Sequence, residues 1–138
     1  MKIYIVYWSG TGNTEIMAQA VYEGAKNNGG DVELKTVSDN VIPEDNDVLV
    51  FGCPAMGVEE LEPDEFEPYF ASIEGKLSGK KVGLFGSYDW GDGEWMRSWQ
   101  SRVEAAGGIL LSEGVIAHSA PDEESLEACR NLGKLATM

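Results

Sequence analysis

Short apolar runs and amphipathic stretches alternate strictly along this chain, and no other feature narrows its possible folds so far. Lys2–Tyr7 is a nearly continuous run of Ile, Val and Tyr, the pattern of a strand covered on both faces. Asn13–Asn28 then follows helical spacing, with Ile16, Met17, Ala20, Val21 and Ala25 on one face, and Asn27-Asn28-Gly29-Gly30 closes it. Val32–Val37 alternates as a strand nearer a sheet edge, and Asp47–Cys53 is a second fully buried run. Pro63–Leu77 reads as a helix with proline at its start. Lys81–Ser87 gives a fourth strand, Glu94–Ala106 a helix, Ile109–Ala117 a fifth strand and Glu123–Thr137 a closing helix.

Alternation of this kind predicts an α/β fold, a doubly wound five-stranded parallel sheet with helices on both faces. Right-handed crossovers leave few topologies, of which the order 2-1-3-4-5 fits best. The 138 residues suffice for one domain, 1–138, and are too few for two. In such sheets ligands bind beyond the carboxyl ends of the strands, where the strand order reverses. The loops to inspect are those after Tyr7, Cys53 and Ser87.

The first of these is Ser9-Gly10-Thr11-Gly12-Asn13-Thr14, which joins a buried strand directly to a helix. Its glycines let the backbone curl so that successive amides point inward, and Ser9, Thr11, Asn13 and Thr14 add side-chain donors. With the positive end of a helix dipole behind it, this is an anion site suited to phosphate. It is not a P-loop, because it lacks the Gly-Lys-Ser/Thr ending. It also misses the third glycine of the dinucleotide fingerprint. No Lys or Arg lies between Tyr7 and Glu15, so neutral donors alone would hold the anion. That favours a single terminal phosphate over a di- or triphosphate.

Y-W-S-G-T-G-N-T resembles the FMN-phosphate loop of flavodoxins. G-C-P-A-M-G-V-E-E-L-E over Gly52–Glu62 and G-L-F-G-S-Y-D-W-G-D-G-E-W-M over Gly83–Met96 are similar to the two ring-contacting loops of the short-chain, clostridial-type members. The order 2-1-3-4-5 is the one for which flavodoxins are the type example. The resemblance spans the chain from first strand to last helix and implies bound FMN and one-electron transport.

It also implies roles for named residues. Pro54, Ala55 and Met56 would lie at the inner face of the ring, and Trp90, between Gly91 and Asp89 on an exposed loop, would cover the outer face. The peptide after Gly57 would turn over when flavin N5 gains a proton, so that a hydrogen bond present only in the semiquinone stabilises it. A bond worth about 1.5 kcal/mol shifts that equilibrium roughly tenfold. Glu59 would accept the flavin N3–H. Backbone amides of Asp89, Trp90 and Gly91 would face the O2/N1 edge, with Ser87 and Tyr88 forming the pocket floor. Trp95 and Trp99, spaced i, i+4 on a helix, read as packing residues, and Trp8 as a buttress of the first loop.

Two positions depart from the clostridial pattern. Asp89 stands where glycine is typical, so its charge is expected near the O2/N1 edge. Val58 stands where a small or polar residue is usual.

Twenty-four acids against ten bases give a net charge of −14, which argues against nucleic acid and anionic membranes as partners. Many of the acids gather around the second and third loops: Glu59, Glu60, Glu62, Asp64, Glu65, Glu67, Asp89, Asp92 and Glu94. A negative rim would steer the basic surfaces of reductases and acceptors toward the flavin. Cys53 and Cys129 are too few and too distant for a disulfide framework or a metal knuckle; free buried thiols in a reducing cytoplasm are expected. No stretch reads as a signal peptide or membrane span. His118 falls past the fifth strand, away from the three loops, and reads as a surface residue.

The expectation is therefore a low-potential, monomeric, cytoplasmic electron carrier with no substrate turnover of its own and no catalytic residues or metal. The alternative is an FMN-dependent NAD(P)H or quinone reductase on the same fold, against which stands the lack of a second surface for a nicotinamide. A receiver-type regulatory module would need clustered acids at the ends of strands one and three, whereas strand one ends in Y-W-S-G.

Overall fold

The computed structural model describes every residue, 1–138. Its parallel sheet contains β1 (Ile3–Tyr7), β2 (Val32–Thr36), β3 (Val48–Gly52), β4 (Lys81–Tyr88), β5 (Ile109–Leu110) and β6 (Val115–His118). The strands run β2-β1-β3-β4-β5, and β6 pairs with β4 further along the same edge. The predicted order holds. The helices are α1 (Asn13–Asn27), α2 (Phe66–Ile73), α3 (Glu94–Ala105) and α4 (Glu123–Ala136).

Every residue of β3 is buried, because helices cover the sheet on both sides. On one face Ile3, Ile5, Val48, Val50 and Phe85 pack beneath Met17, Ala20 and Val21 of α1 and Cys129, Leu132 and Ala136 of α4. On the other, Leu49, Phe51, Val82 and Leu84 meet Phe66, Phe70 and Ile73 of α2 and Trp95, Trp99 and Val103 of α3. The edge of the Trp99 ring meets Phe66 and Phe70 at centroid distances of 5.4 and 5.8 Å, a geometry aromatic pairs favour. Arg102 of α3 grips both carboxylate oxygens of Glu67 at 2.6 Å and lies 4.9 Å from the Phe70 centroid, tying α3 to α2. Trp95 and Trp99 are packing residues, as their spacing predicts. Both cysteines are free and buried; burial pushes the Cys129 thiol up to about 12 and raises Cys53 further, so neither is a reactive thiolate.

Three elements differ from their sequence patterns. Ile16 lies outside the buried stripe of α1 and is exposed. The fifth strand is broken: β5 ends at Leu110, and Ser112-Glu113-Gly114 leave the sheet before β6 begins. Serine, glutamate and glycine are poor strand formers, and Gln100 of α3 takes up the freed Gly114 amide at 2.5 Å.

The second helix is regular only from Phe66 to Ile73, followed by a 3₁₀ turn over Glu74–Lys76. It starts late because Glu62, a buried residue, caps it. The Glu62 carboxylate accepts the main-chain N–H groups of Asp64, Glu65 and Phe66 at 2.9, 2.7 and 2.8 Å. Burial by itself raises the pKa of this carboxyl, but the three amides outweigh it and hold the value below the ordinary 4.5. Glu62→Ala is therefore expected to lower the unfolding free energy at pH 7 by about 2–3 kcal/mol, read from urea denaturation. Because the folded value is depressed, this stabilisation is complete above the ordinary pKa and is lost as pH falls through the lowered one. The gap between wild type and variant accordingly closes only below about pH 4.5.

Candidate FMN site

The loops after β1, β3 and β4 meet at the carboxyl end of the sheet, on either side of the switch between β1 and β3. Hydrogen bonds wire them together. The Trp8 amide donates to the Gly52 carbonyl at 3.0 Å, the Cys53 amide to Phe85 at 3.1 Å and the Ala55 amide to Ser87 at 3.0 Å. The buried hydroxyls of Thr14 and Ser87 share a hydrogen bond of 3.2 Å. The Trp95 indole N–H donates to the Cys53 carbonyl at 3.2 Å, anchoring the start of α3 to the end of β3.

In the first loop the Ser9 hydroxyl oxygen accepts the amides of Gly12 and Glu15, at 3.1 and 3.3 Å. This closes the turn into α1 and leaves the Ser9 O–H proton free to donate. The main-chain N–H groups of Ser9, Gly10, Thr11, Asn13 and Thr14 have no acceptor within the protein. Five unpaired amides leading into a 15-residue helix form a ready anion cradle. Trp8 backs it: its ring lies against Gly10, and its indole N–H reaches Glu65 at 3.3 Å.

A concavity of about 100 Å³ opens here, lined by Trp8, Gly10, Thr11, Thr14, Pro54, Ala55, Met56, Ser87, Tyr88 and Asp89. Sequence reasoning named all of these as lining residues except Trp8. The volume is well below the roughly 300 Å³ at which pockets begin to enclose whole ligands. Met56, on that lining, is 38% exposed, and Val58 and Trp90, on the second and third loops, are 88% and 83% exposed. Large apolar side chains this open at one end of an otherwise buried core mark a surface awaiting a partner. Other clefts are roomier; one of about 450 Å³, lined by Met1, Asn46–Val48 and Gly79–Lys81, is at the opposite end of the sheet.

Gly57 and Val58 form the tip of a tight turn closed by reciprocal hydrogen bonds between Met56 and Glu60, at 2.7 and 2.9 Å. Gly57 has φ +55° and its missing Cβ would meet open space, so the backbone angle, not crowding, calls for glycine. Glu59 also has positive φ, +49°. One carboxylate oxygen of Glu59 accepts the Gly93 and Glu94 amides at 3.1 and 2.8 Å, so Glu59 caps α3 and clips the second loop to the third. Its other oxygen makes no hydrogen bond within the protein.

Two sequence readings change here. Glu62 does not join the acidic rim; it points inward as the cap described above. His118 is exposed, as expected, but it is not remote from the loops. Parallel pairing sets Tyr88 opposite His118, and the imidazole lies tilted against the Tyr88 ring, at a centroid distance of 5.1 Å and an interplanar angle of 50°. The Asp89 carboxylate is held by the Ser119 hydroxyl at 2.8 Å. No local motif announces these contacts, which arise from the register of two strands far apart in sequence.

Fold and loops together describe a doubly wound α/β protein with a lysine-free set of unpaired amides beside a small concavity at the switch point of its sheet. Comparison with known proteins agrees. The family model described as flavodoxin matches residues 5–133. The chain is 48% identical to a flavodoxin of Clostridium beijerinckii over 132 residues, covering 94% of this chain and 95% of the relative. It is 46% identical to a flavodoxin of Megasphaera elsdenii over 136 residues, covering 97% of both. The solution structure of two-electron reduced Megasphaera elsdenii flavodoxin superposes with a TM-score of 0.83, at 45% identity and 98% coverage of both chains. The chain belongs to the flavodoxin family. It is an electron carrier whose cofactor is FMN, and it passes electrons to redox partners. No helix is long and apolar enough to cross a membrane.

Proposed function

We propose that the three loops divide the cofactor between them, with Ser9–Thr14 on the phosphate, Pro54–Gly57 and Glu59 on the inner face and N3 edge, and Ser87–Gly91 on the outer face and O2/N1 edge. The observation that carries this reading is the set of five unpaired amides in the first loop beside the concavity. Bound FMN supplies two one-electron reductions; the chain's own residues hold it, shield both faces and leave one edge open. The free oxygen of Glu59 suits an N–H donor. The Gly57 turn, with its tip in open space, has room for its peptide to turn over.

In this reading residues 1–138 act as one monomeric domain in the cytoplasm, the compartment that suits two free buried thiols. The protein turns over no substrate and hands low-potential electrons to enzymes with basic surfaces. The net charge of −14 supports that choice of partner, as does a rim on which Glu60, Asp64 and Asp89 have no ion-pair partner. A potentiometric titration of the FMN-loaded protein is expected to resolve two separate one-electron stages, with no oxidation of NADH or NADPH by the protein alone. A single two-electron stage, with steady NAD(P)H turnover, would instead establish the reductase.

A further inference from the structure

We infer that His118 and Ser119, at the end of β6, clamp the Asp89–Trp90 peptide of the third loop, positioning its N–H for the flavin edge and tying that donor to pH. The inference rests on the placement of FMN proposed above and deepens it.

Three contacts build the clamp. His118 Nε2 lies 3.2 Å from the Asp89 carbonyl oxygen. Because a carbonyl only accepts, Nε2 carries the proton in this contact. The Ser119 hydroxyl donates to the Asp89 carboxylate at 2.8 Å, and the Ser119 amide donates to the Tyr88 carbonyl at 2.7 Å. Ser119 itself has φ +58°, a conformation a non-glycine residue keeps where its surroundings fix it. The imidazole packs at a tilt against the Tyr88 ring, so it cannot swing away without losing that contact.

The geometry of one peptide unit carries the effect onward. No peptide bond in the chain is cis, so the C=O and N–H of the Asp89–Trp90 unit point to opposite edges. The carbonyl faces β6, which pairs with β4 on the side away from β3. The Trp90 N–H is thereby directed away from β6, toward the side where the first and second loops lie, and it has no acceptor within the protein. A hydrogen bond onto the carbonyl polarises the unit and strengthens the N–H at its other end. A charged imidazole strengthens it further, and histidine is the side chain whose charge ordinarily changes near neutral pH.

The groups facing the imidazole are the Tyr88 ring and the Asp89 main chain, with the Asp89 carboxylate held by Ser119; His118 makes no ion pair. Of the other charges at this end, Arg97 is paired with Asp92 and Glu94, Glu59 caps α3, and Glu60 and Asp64 have no ion-pair partner. His118 touches no part of the proposed cofactor position, so it is a positioning residue. Asp89, which stands where the family pattern has glycine, is the residue both arms of the clamp hold.

His118→Gln and His118→Ala separate position from charge, since glutamine keeps a neutral N–H donor and alanine keeps none. In FMN-loaded protein the potential for the second electron is expected to be higher in wild type than in His118→Gln at acidic pH and to merge with it at alkaline pH. The acidic difference corresponds to about a three- to fivefold change in the equilibrium constant, as for one added charge several ångströms away across a solvated surface. His118→Ala lies below both across the range and binds FMN more weakly. In parallel, the Trp90 amide resonance is expected to move with pH in wild type and to stand still in His118→Gln, with or without FMN. Superimposable redox profiles for wild type and His118→Gln, or a Trp90 amide indifferent to pH in wild type, would overturn the clamp. Failure to take up FMN would overturn the proposed site instead, and the FMN-free amide titration would still decide on the clamp.

Discussion

Replacing Thr11 by glutamate is expected to weaken FMN binding by about a hundredfold and to leave riboflavin binding nearly unchanged. Thr11 is exposed, lines the concavity and belongs to a run of five amides that have no acceptor of their own. No lysine or arginine stands within the loop, so nothing there would neutralise an added carboxylate. At about 5 Å and an effective dielectric of about 40, one carboxylate charge repels a phosphate dianion by about 3 kcal/mol, which is two orders of magnitude in affinity. Flavin fluorescence quenching by the apoprotein measures both ligands in one format, and Thr11→Gln controls for size. Because the repulsion is electrostatic and partly exposed, the loss should shrink as salt is raised. Equal losses for FMN and riboflavin would point to damage at the ring loops. No loss for either would remove the phosphate from this loop.

The second large effect lies far from the cofactor. Gly24→Ala is expected to destabilise the protein by about 2–4 kcal/mol, although alanine in place of glycine inside a helix ordinarily stabilises by about 1 kcal/mol. The reversal of sign comes from the contact between α1 and α4. A Cβ at Gly24 would fall well inside contact distance of the Arg130 carbonyl, and one at Gly133 would do the same to the Val21 carbonyl. Both obstacles are backbone, so no rotamer change relieves them. The helices would have to separate, opening the layer that buries Met17, Val21, Cys129 and Leu132. Urea denaturation of wild type, Gly24→Ala and Gly133→Ala checks this. A neutral or stabilising alanine at both positions would mean that the two helices have slack.

The sequence made the sheet legible because its buried strands are marked by composition alone. Ile3–Tyr7 and Val48–Gly52 are apolar runs that only a sheet covered on both faces accommodates, and the alternation with helices fixed their order. The three loops followed from topology, and the first could be read chemically because its donors are contiguous. What stayed hidden depended on partners distant in the chain or on side chains turning unexpectedly. Pro63 looked like a first helical residue, but Glu62 folds back onto three amides and moves the helix start to Phe66. Glu59 looked free for a ligand, yet half of its carboxylate caps α3. His118 looked remote because nothing in its own neighbourhood reveals that register places it opposite Tyr88.

The central claim is that three loops at one end of the sheet hold FMN, with the unpaired amides of the first loop on its phosphate. Backbone amide NMR of the apoprotein during addition of FMN tests it most directly. The largest shifts are expected at Gly10, Thr11, Asn13 and Thr14, with a second set at Gly57 and from Asp89 to Gly91, and little change along α4. Shifts centred instead on the cleft formed by Met1, Asn46–Val48 and Gly79–Lys81, with the first loop unmoved, would contradict the account.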